Sequence, residues 1–487
     1  MSNDPSTPSG SSGDDGLPED LARVFRDLNG GRDLPPEVVD QLKALGITDA
    51  DPTQVAAMTS QIKAMFAPGA QAKGVDVTAA TSAAREAISE TDHAMGEREL
   101  GLVEQATRLA ALWLDQVTSL EAPTLTGEAL SREEWVEATM PVWASLVDPI
   151  AEGLAGAIRD SFTSRMNDPG APDLQALGLP PGMDMSMLSQ QMAPFVDRMA
   201  STLITGQTAQ AVGALASDTL TATEAGVPLV SDRVALLPGN VAEFAEGLDV
   251  DLDEVWLHLA TRESARMRLF TAVPWLGPQI LAAVQAYARG IAIDTDAIDT
   301  AVRQVDPSDP SAIQEALTGG FLNPTPSPAQ RSALAQLETW LALIEGWVEH
   351  VSVQATTSQL PATSAMTETI RRRRATGGPA EKTFAGLVGL ELRPRRLRDA
   401  ASLFAALEER VGAEGRDAVW AHPDVAPTAA DLDDVLGFVE RTAAGESSGS
   451  EDLDAALESI LREADADRGT DASDDAPEGG SDTEEDR

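Results

Sequence analysis

The stretch Asp251–Pro274, DLDEVWLHLATRESARMRLFTAVP, most constrains what this chain can fold into. Its apolar residues recur at three and four, and Pro274 cannot continue a helix, so it reads as one helix stopped by a proline. On a wheel of about 3.6 residues per turn, Val255, Leu259, Arg262, Arg266 and Phe270 share one face. Glu263 lies at the edge of that face, and Thr261, Ser264 and Arg268 lie opposite. Two arginines therefore sit on the side that Leu259 and Phe270 carry inward. An ionised guanidinium loses its hydration on burial, which is costly without compensation. The fold must bring acids to Arg262 and Arg266 or leave them in a wet cleft.

The stretch Leu334–Ala355 offers such acids. Leu334, Leu337, Leu341, Ile344 and Val348 make its apolar stripe, and Glu338, Glu345 and Glu349 follow one edge. The spacing predicts two inward helices meeting through charged residues.

The rest of the chain is punctuated in the same way. Leu100–Leu120 carries Leu100, Val103, Ala106, Ala110, Trp113 and Val117 at helical spacing. Ser131-x-x-Glu134 is a capping box for a helix with Trp135, Trp143 and Leu146, which Pro141 is expected to kink or divide. Met192–Leu220 is a second helical block, and Gly206, Ala209, Gly213 and Ala216 at its centre would let another helix come close. Asn240-x-x-Glu243 is expected to cap a short helix ending near Gly247, and Gln279–Gly290 follows the turn at Pro274-Trp275. Period-two alternation is not sustained anywhere; short strands are open near Val227–Leu237 and Ile291–Ile293.

Ala and Leu dominate an apolar fraction of 43% with only 4% aromatics, which favours helix over sheet. The expected fold class is mainly α, a multi-helix domain with few short strands and disordered acidic termini. A chain of 487 residues exceeds the roughly 250–300 that one core sustains. The expected organisation is a disordered segment 1–16, a helical extension 17–94, a large helical domain 95–440 and an acidic, mostly disordered tail 441–487. Within the first two, proline-broken helical patterns run from Leu17 to about Phe66. Loops are expected at 67–80, 168–185 and 305–328.

The net charge of −44 weighs against nucleic-acid and anionic-membrane partners. The basic district is Arg371–Arg374 with Arg393, Arg395, Arg396 and Arg398. It lacks interleaved aromatics, so pairing with acids of the same chain is the expected use. The absence of cysteine excludes disulfides, thiol catalysis and thiolate metal ligands, and fits a reducing cytoplasm. No stretch approaches the roughly 18–20 apolar residues of a membrane span, and the start MSNDPSTPSGSSGDDG has no signal-peptide pattern. The expectation is a cytoplasmic protein with an unidentified peptide or protein partner.

Arg262-Glu263-Ser264-Ala265-Arg266 has the frame of a His-Glu-x-x-His helix with arginine at both histidine positions. In that motif, histidines one turn apart grip one zinc ion and the glutamate activates the bound water. Arginine stays protonated and has no lone pair to give. His258 lies off the Arg262 face, and His93, His350 and His422 are isolated. The residues themselves predict no metal, no Gly-x-Ser-x-Gly elbow and no phosphate-binding loop.

The surrounding runs are more specific. GNVAEFAEGLDVDLDEVWLHLATRESARMRLFTAVPWL, LALIEGWVEHV, RRRRATGGPAEKTFAGLVGLELRPRRLRDAA and AVWAHPDVAPTAADLDD resemble the zincin-like metallopeptidase family common in actinobacteria, as do SREEWVEATMPVWASLVDP and QTAQAVGALASDTL upstream. The resemblance spans about residues 95–440 and implies a zincin-like helical domain. It places Glu263 at the general-base position, Arg262 and Arg266 at the two histidine positions, and Glu345-Gly346 at the Glu-Gly element, with Glu345 at the third ligand position. Three readings follow. One is a non-catalytic pseudo-hydrolase or binding scaffold without cofactor. The alternative is an active zinc-dependent metalloprotease or hydrolase. The third is an interaction module with acidic tails. A cleft of Arg262, Arg266 and Glu263 would suit a carboxylate-bearing peptide.

Overall fold

Proline and capping residues set most of the helix starts among the described residues. The computed structural model describes residues 74–92, 95–166, 185–291, 327–375 and 396–445. The expectations for 1–16, for 17–73, for most of the loops at 168–185 and 305–328, for His93, Arg393 and Arg395, for Ala292 and Ile293, and for the tail beyond 445 fall outside the described residues. Twelve helices and two short strands lie within them, so the fold is mainly α as expected. In chain order they are α1 (Val77–Ile88), α2 (Glu97–Leu114), β1 (Thr126–Ala129), α3 (Arg132–Met166), α4 (Met185–Ala216), β2 (Arg233–Leu236), α5 (Pro238–Ala245), α6 (Leu252–Ala272), α7 (Leu276–Arg289), α8 (Pro328–Thr357), α9 (Thr363–Ala375), α10 (Leu397–Ala418), α11 (Ala429–Asp433) and α12 (Val435–Ala444).

The chain divides into two compact units. The described part of the first comprises 74–80, 147–166 of α3 and 185–208 of α4. Ile150, Leu154, Val196, Ala200 and Ile204 are buried there. Gly74 has φ +85°, and a Cβ on it would lie 2.4 Å from Asp148 Oδ1. The Asp148 carboxylate instead accepts from Val75 N at 2.8 Å, and Ser201 Oγ donates to Gly74 O at 2.5 Å.

The second unit holds the remaining elements. β1 and β2 pair in parallel, Thr126 with Arg233 through Ala129 with Leu236. β2 falls in the window the sequence left open for a strand; β1 has too short an alternation to have been read. Helix α6 packs against α2, α8, α9, α5 and β2. Val103, Ala106, Leu236, Val241, Val255, Trp256 and Leu259 form the core between them.

Several local expectations need correction. Helix α3 is not divided at Pro141; buried Trp135, Met140, Trp143 and Leu146 flank the proline on both sides. The short helix starts at Pro238, not at Asn240. Asn240 is buried inside it, where Nδ2 donates to Ala216 O at 2.8 Å and Oδ1 accepts from Arg132 Nε at 2.6 Å. Helix α2 ends at Leu114, before Val117, and its Leu100 is 45% exposed rather than inward. The capping box at Ser131 and Glu134 forms as read, with bonds of 2.8 and 3.1 Å. Helix α8 begins with a further box, Ser327 with Gln330. Among the described residues no single helix is long and apolar enough to cross a membrane.

Candidate functional site

Asp251 caps α6 by accepting from Asp253 N at 2.9 Å, and the helix then runs to Ala272. From His258 to Leu269 it is buried on every side. Thr261, Ser264 and Arg268, placed opposite the inward face by the wheel, are as enclosed as Arg262 and Arg266. The wheel separated two faces correctly but both are inside, because packed elements surround this helix. Arg268 is met by Asp115 at 2.6 Å.

The two arginines on the other face find Glu345 of α8. Arg262 Nη2 donates to Glu345 Oε2 at 2.9 Å. Arg266 donates to Glu345 Oε1 from Nε at 3.1 Å and from Nη2 at 2.9 Å. Arg374, from the last turn of α9, places Nη2 2.9 Å from the same oxygen. Burial alone would raise the Glu345 pKa, but Arg266, Arg374 and Arg262 outweigh it and bring it down to about 2. Burial brings Arg262 down to about 10, against the pull of Glu345, so it is charged at neutral pH. Burial also opposes the charge on Arg266, but Glu345 and Glu263 on either side of it raise its pKa.

Glu263 has no exposed surface. Its Oε2 accepts from Thr221 Oγ1 at 2.7 Å and Arg266 Nη1 at 2.6 Å. Its Oε1 accepts from Thr223 N at 2.9 Å and Thr223 Oγ1 at 2.8 Å. A carboxylate offers about four lone-pair positions, and all of them are used.

Glu345 is followed by Gly346 for a steric reason. A Cβ on Gly346 would sit 2.6 Å from Ala400 Cβ and 2.7 Å from Ala400 C, so the glycine lets α10 lie against α8. The same two helices are tied by Asp417, which accepts from Trp347 Nε1 at 2.9 Å.

The structure thus brings Arg262, Glu263, Arg266 and Glu345 into one buried cluster, the four residues singled out from the sequence. It adds Thr221, Thr223 and Arg374. The threonines sit in a run, Thr219-Leu220-Thr221-Ala222-Thr223, whose even spacing of hydroxyls was the available signal. Arg374 belongs to the basic run, and that run is spent on acids of the same chain as expected. Arg371 meets Glu349 at 2.5 Å, Arg372 meets Glu368 at 2.8 Å, and Arg373 meets Asp218 and Glu224 at 3.3 Å. The described histidines stand apart: His258 is buried, His350 pairs with Glu408 at 2.6 Å, and His422 is exposed beside Asp424. Among the described residues no three His, Asp or Glu side chains converge as a metal site.

A family profile described as zincin-like metallopeptidase matches residues 75–439. A crystal structure from Chloroflexus aurantiacus, of a protein provisionally described as a hydrolase with a novel fold, is similar at a TM-score of 0.51 and 16% identity. The match covers 75% of this chain and 98% of that one, and at this identity it speaks for the fold alone. No curated protein matches the chain.

Proposed function

The chain belongs to the zincin-like metallopeptidase family, and on that premise we propose that it is a non-catalytic member, a scaffold that engages a peptide or protein partner without zinc chemistry. One observation carries the non-catalytic part: Arg262 and Arg266 are buried with their guanidiniums on Glu345 and Glu263, which also leaves no open cleft there for a carboxylate-bearing peptide. Zinc, which the family name implies, does not fit these residues. A guanidinium has no lone pair for a metal. Glu345, Glu263 and the neighbouring Glu224 are each bound to arginine. Arg262 and Arg266 bring two positive charges to two carboxylates, the charge a zinc ion would bring, and so hold α6 against α8.

Glu263 has little capacity to act as a base. Abstracting a proton requires a free lone pair within reach of substrate, whereas its four hydrogen bonds occupy both oxygens and water is excluded. This counts against the alternative of an active hydrolase.

Metal analysis of the purified full-length protein tests the proposal. The expected zinc content is far below stoichiometric, and thermal unfolding is unchanged by a chelator. About one tightly held zinc per chain overturns it. So does peptide hydrolysis that Glu263→Gln abolishes.

A further inference from the structure

The cluster leaves two donor nitrogens without acceptors: Arg262 Nη1 and Arg374 Nε are buried and have no hydrogen-bond partner. A buried, unpaired N–H of an ionised group is among the costliest defects a fold can carry. Two acceptors beside them are also incomplete. Thr221 Oγ1 gives its hydrogen to Glu263 Oε2 at 2.7 Å and accepts from no described residue. Glu224 Oε2 accepts from Leu220 N at 2.6 Å and Thr219 Oγ1 at 3.4 Å, whereas among the described residues Oε1 accepts only from Arg373 Nε at 3.3 Å. Arg262, Arg374, Thr221 and Glu224 line one cavity of about 10 Å³, closed on its apolar side by Leu259 and Ile370. That is about the least space one water molecule occupies, and a water needs roughly two to four polar partners.

Charge balance gives an ion no advantage here. Arg262, Arg266, Arg373 and Arg374 are matched by Glu345, Glu263, Glu224 and Asp218, in pairs of 2.6–3.3 Å. An anion would satisfy the two arginines but set its charge against the Glu224 carboxylate and the lone pairs of Thr221. A cation would face the guanidiniums. Water has two lone pairs and two hydrogens, and the wall offers two donors and two acceptors.

We propose that this cavity is the site of one internal water molecule, which accepts from Arg262 Nη1 and Arg374 Nε and donates to Thr221 Oγ1 and Glu224 Oε1. It gives each of the two nitrogens an acceptor and ties α6 to the last turn of α9 and to the segment 219–224. Both of its lone pairs are engaged by arginine, so none is free to attack a carbonyl, and the water is a fixed part of the structure. The site does not rest on the non-catalytic reading: zinc content decides that reading, and solvent density decides this one.

Two measurements on the full-length protein test it. In a high-resolution crystal structure, one solvent peak is expected in the cavity, as well ordered as the side chains around it, with its four partners at about 2.7–3.2 Å. Bromide-soaked crystals should show no anomalous signal at that peak. In solution, oxygen-17 relaxation dispersion counts long-lived waters. Leu259→Phe, which takes up the cavity volume, should lower that count by one. Absence of the peak, an anomalous signal at it, or an unchanged count in folded Leu259→Phe each overturns the proposal. If that variant does not fold, the crystal result decides alone.

Discussion

Glu345 receives the guanidiniums of Arg262, Arg266 and Arg374, and nothing else in the cluster can replace it. Replacing it by glutamine keeps the shape and removes the charge. Two buried cations and the half-buried Arg374 would then share an amide, and Glu345→Gln should cost roughly 3–5 kcal/mol, the usual cost of breaking a buried pair. Urea unfolding measures it. Glu349→Gln is the contrast: its partner Arg371 is 42% exposed, and such a pair is worth about 1 kcal/mol or less. If the two variants lose equal stability, Glu345 is not the anchor of the cluster. At this scale much was legible. Two arginines on an apolar face demanded acids, and the stripe of α8 displayed them. The threonines on Glu263 were legible only as evenly spaced hydroxyls; that they meet Glu263 was not, because their loop is held in place by pairing of Thr221 with Leu236.

Between elements, the contact of α8 with α10 depends on Gly346. A Cβ there would lie 2.6–2.7 Å from Ala400 and from Ala401 N, which includes backbone that cannot swing aside. Gly346→Ala should force the helices apart and cost about 1–3 kcal/mol, the range for overpacking a filled core. Gly206→Ala should do the reverse. Among the described residues, no atom outside the helix's own backbone lies within 4 Å of a Cβ at Gly206, and alanine gains up to about 1 kcal/mol over glycine in a helix interior. Comparing the two unfolding midpoints separates crowding from helix propensity. The small-residue reading of α4 was half right in this respect. Gly213 does face another helix, with Ala84 O at 3.4 Å from a Cβ there, whereas Gly206 meets no neighbour among the described residues. Spacing alone cannot tell which small residue meets a neighbour. It equally could not show that α6 is enclosed on all sides from His258 to Leu269, since a helix wheel knows only its own residues.

For the whole molecule, the response to mild acid is led by one side chain. His258 is fully buried with neither ring nitrogen bonded. Burial, with a smaller push from Arg262, lowers its pKa to about 3. Between that value and the ordinary one near 6.5, the unfolded chain takes a proton that the folded chain refuses. Stability from this group is therefore complete above pH 6.5 and falls as pH drops toward 3. The loss is at most about 5 kcal/mol, by the linkage of about 1.4 kcal/mol per pKa unit. His258→Phe should flatten the unfolding free energy across that window; an unchanged pH profile would show that other groups set it. Glu345 acts lower. Its pKa falls from 4.5 to about 2 on folding, so its contribution is present above 4.5 and is lost as pH falls through 2.

The sequence by itself determined that the chain is helical, that α6 carries two charges inward, and that α8 must answer them. These follow from local periodicity and from the cost of burying an unpaired ion, which hold wherever the helices end up. The family resemblance was legible in the same way, from ordered runs of residues. Only the tertiary structure decided that α6 is enclosed on every side from His258 to Leu269, that Thr221 and Thr223 saturate Glu263, and that Arg374 reaches Glu345. Each of these joins residues far apart in the chain. Their meeting is set by how several elements pack at once, and no single stretch carries that information.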